Sequence, residues 1–243
     1  MVDSFAAARI SETPAIRVGD VLNQACTVFA ARWAPFMGLS LIAFAPQFLF
    51  GLLAGQVAGA GNIGNILQVA CTSFADAAII YGVVQQLRGR GFTVAESLGA
   101  GFARLGPVFG LSLAVGFCVG LATVLLVIPG VIVWCMYAIA IPVCVVERRG
   151  VFDSMRRSAA LTKGARWRIF GVLALVVLAT MLVGVIVGAL ATLIGGLPLL
   201  TLAIYLVESA AGAFNAVTVG VLYQQLRVAR EGVDIEAIAA VFE

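Results

Sequence analysis

The sequence predicts an all-α, polytopic membrane protein with six transmembrane helices, built as three repeats of an amphipathic surface helix followed by a transmembrane hairpin. The composition, the length of the apolar runs and the placement of the basic residues lead to this prediction. Of 243 residues, 62% are hydrophobic and 11% are charged, and the mean hydropathy is +1.10. Soluble globular domains are far more polar, so we expect the chain to lie in lipid.

The apolar residues form six runs of about 20 residues, the length that an α-helix needs to cross a hydrocarbon core of roughly 30 Å. The runs are Ala34–Ala54, Ile63–Gln86, Leu105–Ile128, Val131–Val146, Ile169–Ile194 and Leu199–Leu226. The segments between them are too short to hold a second hydrophobic core. We therefore expect one membrane domain over 1–243, which ends in a short cytoplasmic tail at 231–243.

The fifteen Lys and Arg residues fall in four segments, which precede the first run, follow the second and fourth runs, and follow the sixth. The alternate loops, around Gly55–Asn62, Pro129–Gly130 and Gly195–Pro198, carry no charge. Basic loops stay on the cytoplasmic side of a membrane. This pattern predicts a multi-pass protein of the bacterial inner membrane with both termini in the cytoplasm. It also accounts for the net charge of +3 without nucleic acid as a partner.

Internal similarity indicates a repeat. Pro35–Leu41 at the start of the first run matches Pro107–Leu113 at the start of the third. Gln85-Gln86 near the end of the second run matches Gln224-Gln225 near the end of the sixth. The repeat units expected from these matches cover approximately residues 17–88, 92–149 and 150–230.

Each unit begins with an amphipathic segment that fits a helix on the cytoplasmic membrane surface. The second segment starts with a capping box, Thr93 and Glu96, and the third ends at Gly164. The third is the most basic, and its cations are candidate contacts for anionic lipid headgroups. They are Arg156, Arg157, Lys163, Arg166 and Arg168. Simple anchoring of the hairpins is the alternative, because basic residues flank membrane spans on topological grounds alone.

Pairs of glycines four residues apart occur in the first, third and fifth runs. Such pairs let helices approach closely in lipid. They are Gly51 and Gly55, Gly116 and Gly120, and Gly184 and Gly188. We expect these three spans to pack tightly, around a pseudo-threefold axis, either within one chain or between subunits.

Two carboxylates lie inside the predicted spans, where an ionised side chain costs on the order of 3 kcal/mol. Asp76 is expected near the midplane and Glu208 near the outer interface. Alignment of the repeated glutamines places Asn215 at the depth of Asp76. Asp76 and Asn215 are thus candidates for a proton or substrate site, or for an interhelical hydrogen bond made by a protonated carboxyl. Interfacial placement accounts for Glu208.

The chain lacks the residues that most enzymes use. It has no histidine, which removes the commonest general base and metal ligand. Its five cysteines are dispersed, without metal-binding or disulfide spacing. It has no phosphate-binding glycine-rich loop that ends in Lys-Ser or Lys-Thr. We therefore expect no catalytic residues, no metal and no cofactor.

Two motifs carry a family resemblance. The longer runs from Ile128-Pro129-Gly130 through Ala140–Val143 and Val145–Glu147 to Arg157–Gly164, and the shorter joins Leu222–Arg227 with Arg230–Ile235. They resemble the bacterial family described as the membrane domain of glycerophosphoryl diester phosphodiesterases. The resemblance implies a six-span, stand-alone member. The chain lacks the soluble barrel of the fused enzymes together with its metal-binding acids and histidines, so it does not imply the phosphodiesterase activity.

These patterns leave two main hypotheses. The first is a non-catalytic inner-membrane protein that binds lipid or partner proteins, as an accessory or assembly subunit. Its expected partners are membrane lipids, anionic ones among them, and a membrane protein or a second copy of this chain. The alternative is a small transporter or channel for a lipid-like or amphipathic substrate, with Asp76 and Asn215 in the pathway. The surroundings of Asp76 distinguish the two, because a water-accessible cavity there would weaken a pure scaffold.

Overall fold

The chain is predominantly helical over the residues that its computed structural model describes, which are 17–54 and 60–231, and these ranges contain no β-strand. The helices are α1 Val18–Ala31, α2 Trp33–Ala54, α3 Ala60–Leu87, α4 Val94–Leu125, α5 Val127–Tyr137, α6 Ala140–Val146, α7 Val151–Thr162 and α8 Arg166–Glu231. Six spans are long and apolar enough to cross a membrane. They are Trp33–Leu53, Gly61–Leu87, Val94–Leu125, Val127–Val146, Arg166–Ile194 and Leu199–Glu231. The predicted all-α, six-span fold is confirmed.

The last two spans both belong to the helical segment α8 and pack against each other as a hairpin. A Cβ built on Gly188 would lie 3.8 Å from Cδ1 of Leu200. Twelve residues of straight helix would separate these positions by about 18 Å. The chain therefore reverses between Ile194 and Leu199, where the sequence predicts an uncharged loop.

The turn between the third and fourth spans lies three residues earlier than predicted. Leu126 is extended (φ −162°, ψ 142°) and separates α4 from α5, whereas Pro129 and Gly130 lie in the first turn of α5. Proline fits there because the first turn of a helix has no intrahelical partner for its N–H groups. Gly130 packs so closely on Thr123 that no Cβ would fit. The predicted Pro129–Gly130 loop is therefore wrong in position.

The second amphipathic segment is not a separate surface helix. It continues into the third span as the 32-residue α4, because no residue between them ends the helix. The capping box that starts it is confirmed: the Glu96 N–H donates to Thr93 Oγ1 at 3.2 Å, and the Thr93 N–H donates to Glu96 Oε2 at 3.1 Å. The fourth span is interrupted instead, since Pro142 has no N–H to donate to the carbonyl of residue 138, and α5 ends before α6 begins.

The helix α3 lies at the centre of the bundle. Its Ala75, Ile79 and Val83 belong to the core shared with α1, α2 and α8. On its other side, Ala77 and Ile80 belong to the core shared with α4, α6 and α7. Half of its span is buried inside the protein, the largest share among the six. The buried face of α3 therefore contacts its neighbours, whereas Asn62, Asn65 and Gln68 near its start are exposed.

The repeated glutamines hold α1 in place. Gln86 Nε2 of α3 donates to the Val28 carbonyl at 3.2 Å, and Gln225 Nε2 of α8 donates to Gln24 Oε1 at 2.8 Å. The apolar face predicted for α1 is buried at Val21, Ala25 and Val28. The segment α1 is thus fixed to the ends of α3 and α8 by both hydrogen bonds and apolar contact.

The predicted glycine pairs do not join the first, third and fifth spans. Gly51, Gly116 and Gly120 are exposed, and a Cβ on any of them would meet nothing within 4 Å. Gly184 and Gly188 face the other arm of the α8 hairpin, and Gly55 lies outside the described residues. The spacing of small residues identifies a helix face without bulky side chains, but it does not indicate whether another helix packs on that face.

Close approach occurs at other glycines, which line α3 or its neighbours. A Cβ on Gly101 of α4 would lie 3.0 Å from the Ala78 Cβ, and one on Gly220 of α8 would lie 2.9 Å from Val83 Cγ1. These distances are shorter than ordinary van der Waals contact. The glycines therefore set how closely α4 and α8 pack against α3.

Replacement of Gly101 by valine tests this packing. Gly101→Val should lower the free energy of unfolding by about 1 to 3 kcal/mol, because the added side chain overpacks the contact with α3. Gly120→Val on the same helix is the matched control and should be nearly neutral, since a Cβ there meets open space. Thermal unfolding of both purified variants measures the difference. Equal stabilities would contradict the proposed contact.

Candidate functional site

A cavity of about 630 Å³ lies between α3, α4, α5, α6 and α8. This volume is within the range of small-molecule sites. Asp76 of α3 and Asn215 of α8 both line it. The structure thus brings together the two residues that the repeat alignment placed at one depth.

A stripe of polar side chains leads along α3 to Asp76. Asn65, Gln68, Thr72 and Asp76 are spaced by three and four residues, so they lie on one helix face, and all four line the cavity. The stripe extends over eleven residues, or about 16 Å. Sequence reasoning missed Asn65, Gln68 and Thr72. Their helical spacing within the second apolar run was the signal that could have identified them.

The wall of the cavity is fixed by a hydrogen bond between hydroxyl groups. Ser73 Oγ of α3 donates to Ser112 Oγ of α4 at 2.9 Å, and both residues line the cavity. Trp134 and Tyr137 of α5 also line it. The lining is therefore mixed, with aromatic and aliphatic groups beside a small number of polar atoms, as is usual in ligand pockets.

Asp76 has no protein partner within the described part of the chain, and neither its carboxyl nor the Asn215 amide is hydrogen-bonded to another side chain there. Among the described residues, the Asp76 carboxyl therefore does not form the interhelical hydrogen bond considered above as an alternative. It lines the cavity instead. No Lys or Arg among the described residues lines this cavity. Both groups are open to the cavity, where water or a ligand can form hydrogen bonds with them.

The two ends of the bundle differ in charge. We name as the basic end the segments 87–94, 147–151, 163–166 and 227–231, and as the hairpin end the opposite ends of the spans. The polar stripe starts near the hairpin end, at Asn65. Ile80, Leu111 and Val219 line the cavity on the side of the basic end, and all three are buried. The exposed Asn65 and Gln68 line it on the side of the hairpin end.

Glu208 is separate from this cavity. It is exposed and lies in a shallow groove between the two arms of the α8 hairpin, beside Met181 and Gly184. It lies on α8 seven residues from Asn215, which corresponds to about 10 Å along the helix. The two carboxylates of the predicted spans do not share a pocket.

The basic end is held together by ion pairs around Glu147. This largely buried carboxylate accepts hydrogen bonds from Arg149 Nε at 2.6 Å, Arg157 Nε at 3.3 Å and Tyr223 Oη at 3.1 Å. Arg157 also pairs with Glu231, which in turn accepts from Arg227 Nε at 2.9 Å. The pairs join the end of α6 to α7 and to the end of α8.

These pairs change the predicted set of lipid-headgroup contacts. Arg157 is neutralised by two carboxylates, so a headgroup role does not suit it. Arg156, Lys163 and Arg168 are exposed, and Arg166 is half-buried. These four cations form no ion pair within the described ranges.

The described residues bring no three His, Cys, Asp or Glu side chains together as a metal site would. Comparison of the chain with protein-family models, with curated proteins and with solved structures gave no match in any of the three. The fold and the cavity therefore define the class from this chain's own residues. It is a multi-pass membrane protein with a cavity of mixed polar and apolar lining between its helices.

Access to the cavity can be measured with cysteine variants. In a background with the five native cysteines replaced by alanine, Gln68→Cys and Thr72→Cys should react with a charged methanethiosulfonate, because both positions line the cavity. Ala75→Cys, on the buried face of α3, is the matched control and should stay unmodified. Mass spectrometry of the purified protein gives the extent of reaction. Similar rates at Thr72 and Ala75 would rule out a hydrated cavity.

Proposed function

We propose that this chain is a non-catalytic membrane protein that binds a lipid-like or amphipathic molecule in the cavity beside Asp76 and Asn215. One observation carries the proposal: the cavity contains a carboxyl and an amide without protein partners, at the end of a polar stripe. An apolar body would contact the α4 and α5 walls. A polar group that donates hydrogen bonds would reach Asp76, which no cation of the described chain neutralises.

The proposal extends to the setting of the protein. We propose that it belongs to the bacterial inner membrane with both termini cytoplasmic, as the distribution of basic residues supports. The motifs around Pro129 and Gln224 support a stand-alone member of the membrane-domain family named above. An accessory or assembly role with partner membrane proteins, or with a second copy, is supported by the uncovered glycines 51 and 120.

Loss of the carboxylate tests the binding site. Asp76→Asn should reduce the amount of small molecule that co-purifies with the protein, because the amide keeps the shape but removes the negative charge and replaces one acceptor oxygen by an N–H donor. Glu208→Gln is the matched control, since it removes the other carboxylate of the spans outside this cavity. Extraction of the purified proteins followed by mass spectrometry gives the amount bound per mole of chain.

A second variant protects this test from a folding artefact. Ala138→Phe places a larger side chain at the cavity wall and should also displace the bound molecule. Thermal unfolding confirms that each variant is folded before extraction. Equal amounts of the same molecules in the native protein, Asp76→Asn and Ala138→Phe would exclude this cavity as the binding site.

The orientation is tested by labelling of spheroplasts with a membrane-impermeant thiol reagent. Asn62→Cys, near the hairpin end, should be labelled in intact spheroplasts, because the uncharged loops are expected outside. Arg90→Cys, at the basic end, should be labelled only after lysis. Labelling of Arg90→Cys from outside would reverse the proposed orientation.

A transporter or channel for a lipid-like substrate is the second candidate. It is favoured by the position of Asp76 and Asn215, which lie on different spans and line one cavity. Transport also requires access from the basic end, and on that side of the cavity the lining residues Ile80, Leu111 and Val219 are buried. Labelling of Thr72→Cys from both membrane faces would favour transport over binding alone.

A further inference from the structure

A second groove, separate from the central cavity, lies between α5 and the start of α8. It has a volume of about 540 Å³ and opens toward the surface of the bundle that faces lipid. One wall is the outer face of α5, from Val127 to Cys135, which extends about 12 Å. Trp167 and Phe170 form the other wall. The groove is therefore apolar along its length.

The groove ends at cations of the basic end. Lys163 and Arg166 line it, and Gly164 lies between them with φ +82°. The Arg230 guanidinium lies beside the same glycine, since a Cβ there would be 3.4 Å from its Nη2. Three positive side chains thus converge where the apolar groove meets the membrane surface.

These cations lack the partners that the neighbouring arginines have. Arg149, Arg157 and Arg227 pair with Glu147 or Glu231. Lys163, Arg166 and Arg230 form no ion pair with any described carboxylate, and the buried Nε of Arg166 has no hydrogen-bond acceptor. A buried donor of a charged group is costly without an acceptor, so an anion that accepts from Arg166 would stabilise this part of the protein.

We propose that this groove binds an anionic phospholipid, with its phosphate beside Lys163 and Arg166 and an acyl chain along α5. The phosphate would supply the missing acceptors, and guanidinium groups bind phosphate oxygens in a planar, bidentate geometry. A free phosphate would satisfy the same cations, but it would leave the Val127–Cys135 wall unused. The apolar wall next to the cations therefore favours the lipid as the source of the phosphate. The site is independent of the Asp76 cavity.

Trp167 provides a local probe of occupancy. The chain has three tryptophans, so Trp33→Phe with Trp134→Phe leaves only Trp167 in the full-length protein. The protein is reconstituted in phosphatidylcholine vesicles that contain a small fraction of brominated phosphatidylglycerol or, in parallel, the same fraction of brominated phosphatidylcholine. Bromine quenches tryptophan fluorescence on contact. Preferential quenching by the anionic lipid therefore measures selective binding next to Trp167.

We expect brominated phosphatidylglycerol to quench Trp167 more strongly than brominated phosphatidylcholine. Arg166→Gln should reduce this preference for the anionic lipid roughly fivefold, which is the effect of one cation near an anionic headgroup. Arg166→Lys should retain most of the preference, because it keeps the charge. The matched control is Arg168→Gln, which removes an exposed cation of the same helix that does not line the groove. It should leave the preference nearly unchanged. If Arg166→Gln fails to fold, Lys163→Gln provides the same test on an exposed side chain.

Three results would overturn the proposal. Equal quenching by the two lipids would show that the groove does not select an anion. Equal losses in Arg166→Gln and Arg168→Gln would assign the preference to diffuse surface charge. Competition by millimolar inorganic phosphate would identify a site for a free anion. None of these outcomes depends on Asp76, so failure here leaves the function proposed for the central cavity unaffected.

Discussion

The arrangement of the bundle depends on how closely its helices can approach α3. Lipid provides no hydrophobic force that drives helices together, so packing contacts must hold them. Gly101 and Gly220 leave space for Ala78 and Val83, and the Ser73 hydroxyl bonds to Ser112 across the interface with α4. The two glycine contacts cover α3 on the basic-end side of Asp76, and the bond between the serines lies in the wall of the cavity. Toward the hairpin end the helices leave the cavity between them, and the polar stripe of α3 faces into it.

The six spans could be predicted because length and hydropathy are properties of single segments. The basic end could be predicted as well, since the charged residues of each segment can be counted without knowledge of contacts. The packing could not be predicted in this way. Gly116 and Gly120 have the spacing of a helix-packing motif and face open space, whereas the isolated Gly101 is in close contact. Spacing reports the shape of one helix face, and contact depends on the other helices.

The candidate site could be predicted only in part, because contacts between helices also determine its geometry. The repeat alignment identified Asp76 and Asn215 as residues at one depth, and both line the cavity. The alignment could not determine whether they are bonded to each other, because that depends on the rotation of α3 and α8 about their axes. The lipid-headgroup cations illustrate a similar limit. A count of positive charges does not separate Arg157, which is paired with Glu147 and Glu231, from Arg166, which is not.

Ion pairing distinguishes two kinds of charged residue in this protein. Some are paired with each other and hold helices together, and others are unpaired and can bind a ligand. Glu147 and Arg157 bind each other and fix α6, α7 and α8 at the basic end, so little of their charge is left to attract another molecule. Asp76 and Arg166 each lie at a cavity or groove without an opposite charge from the described chain. An ionised group inside a membrane costs on the order of 3 kcal/mol when nothing compensates it. A ligand of opposite charge, or one that donates or accepts hydrogen bonds, recovers part of that cost on binding. The two sites should therefore select different molecules, because one presents an unpaired carboxyl and the other unpaired cations.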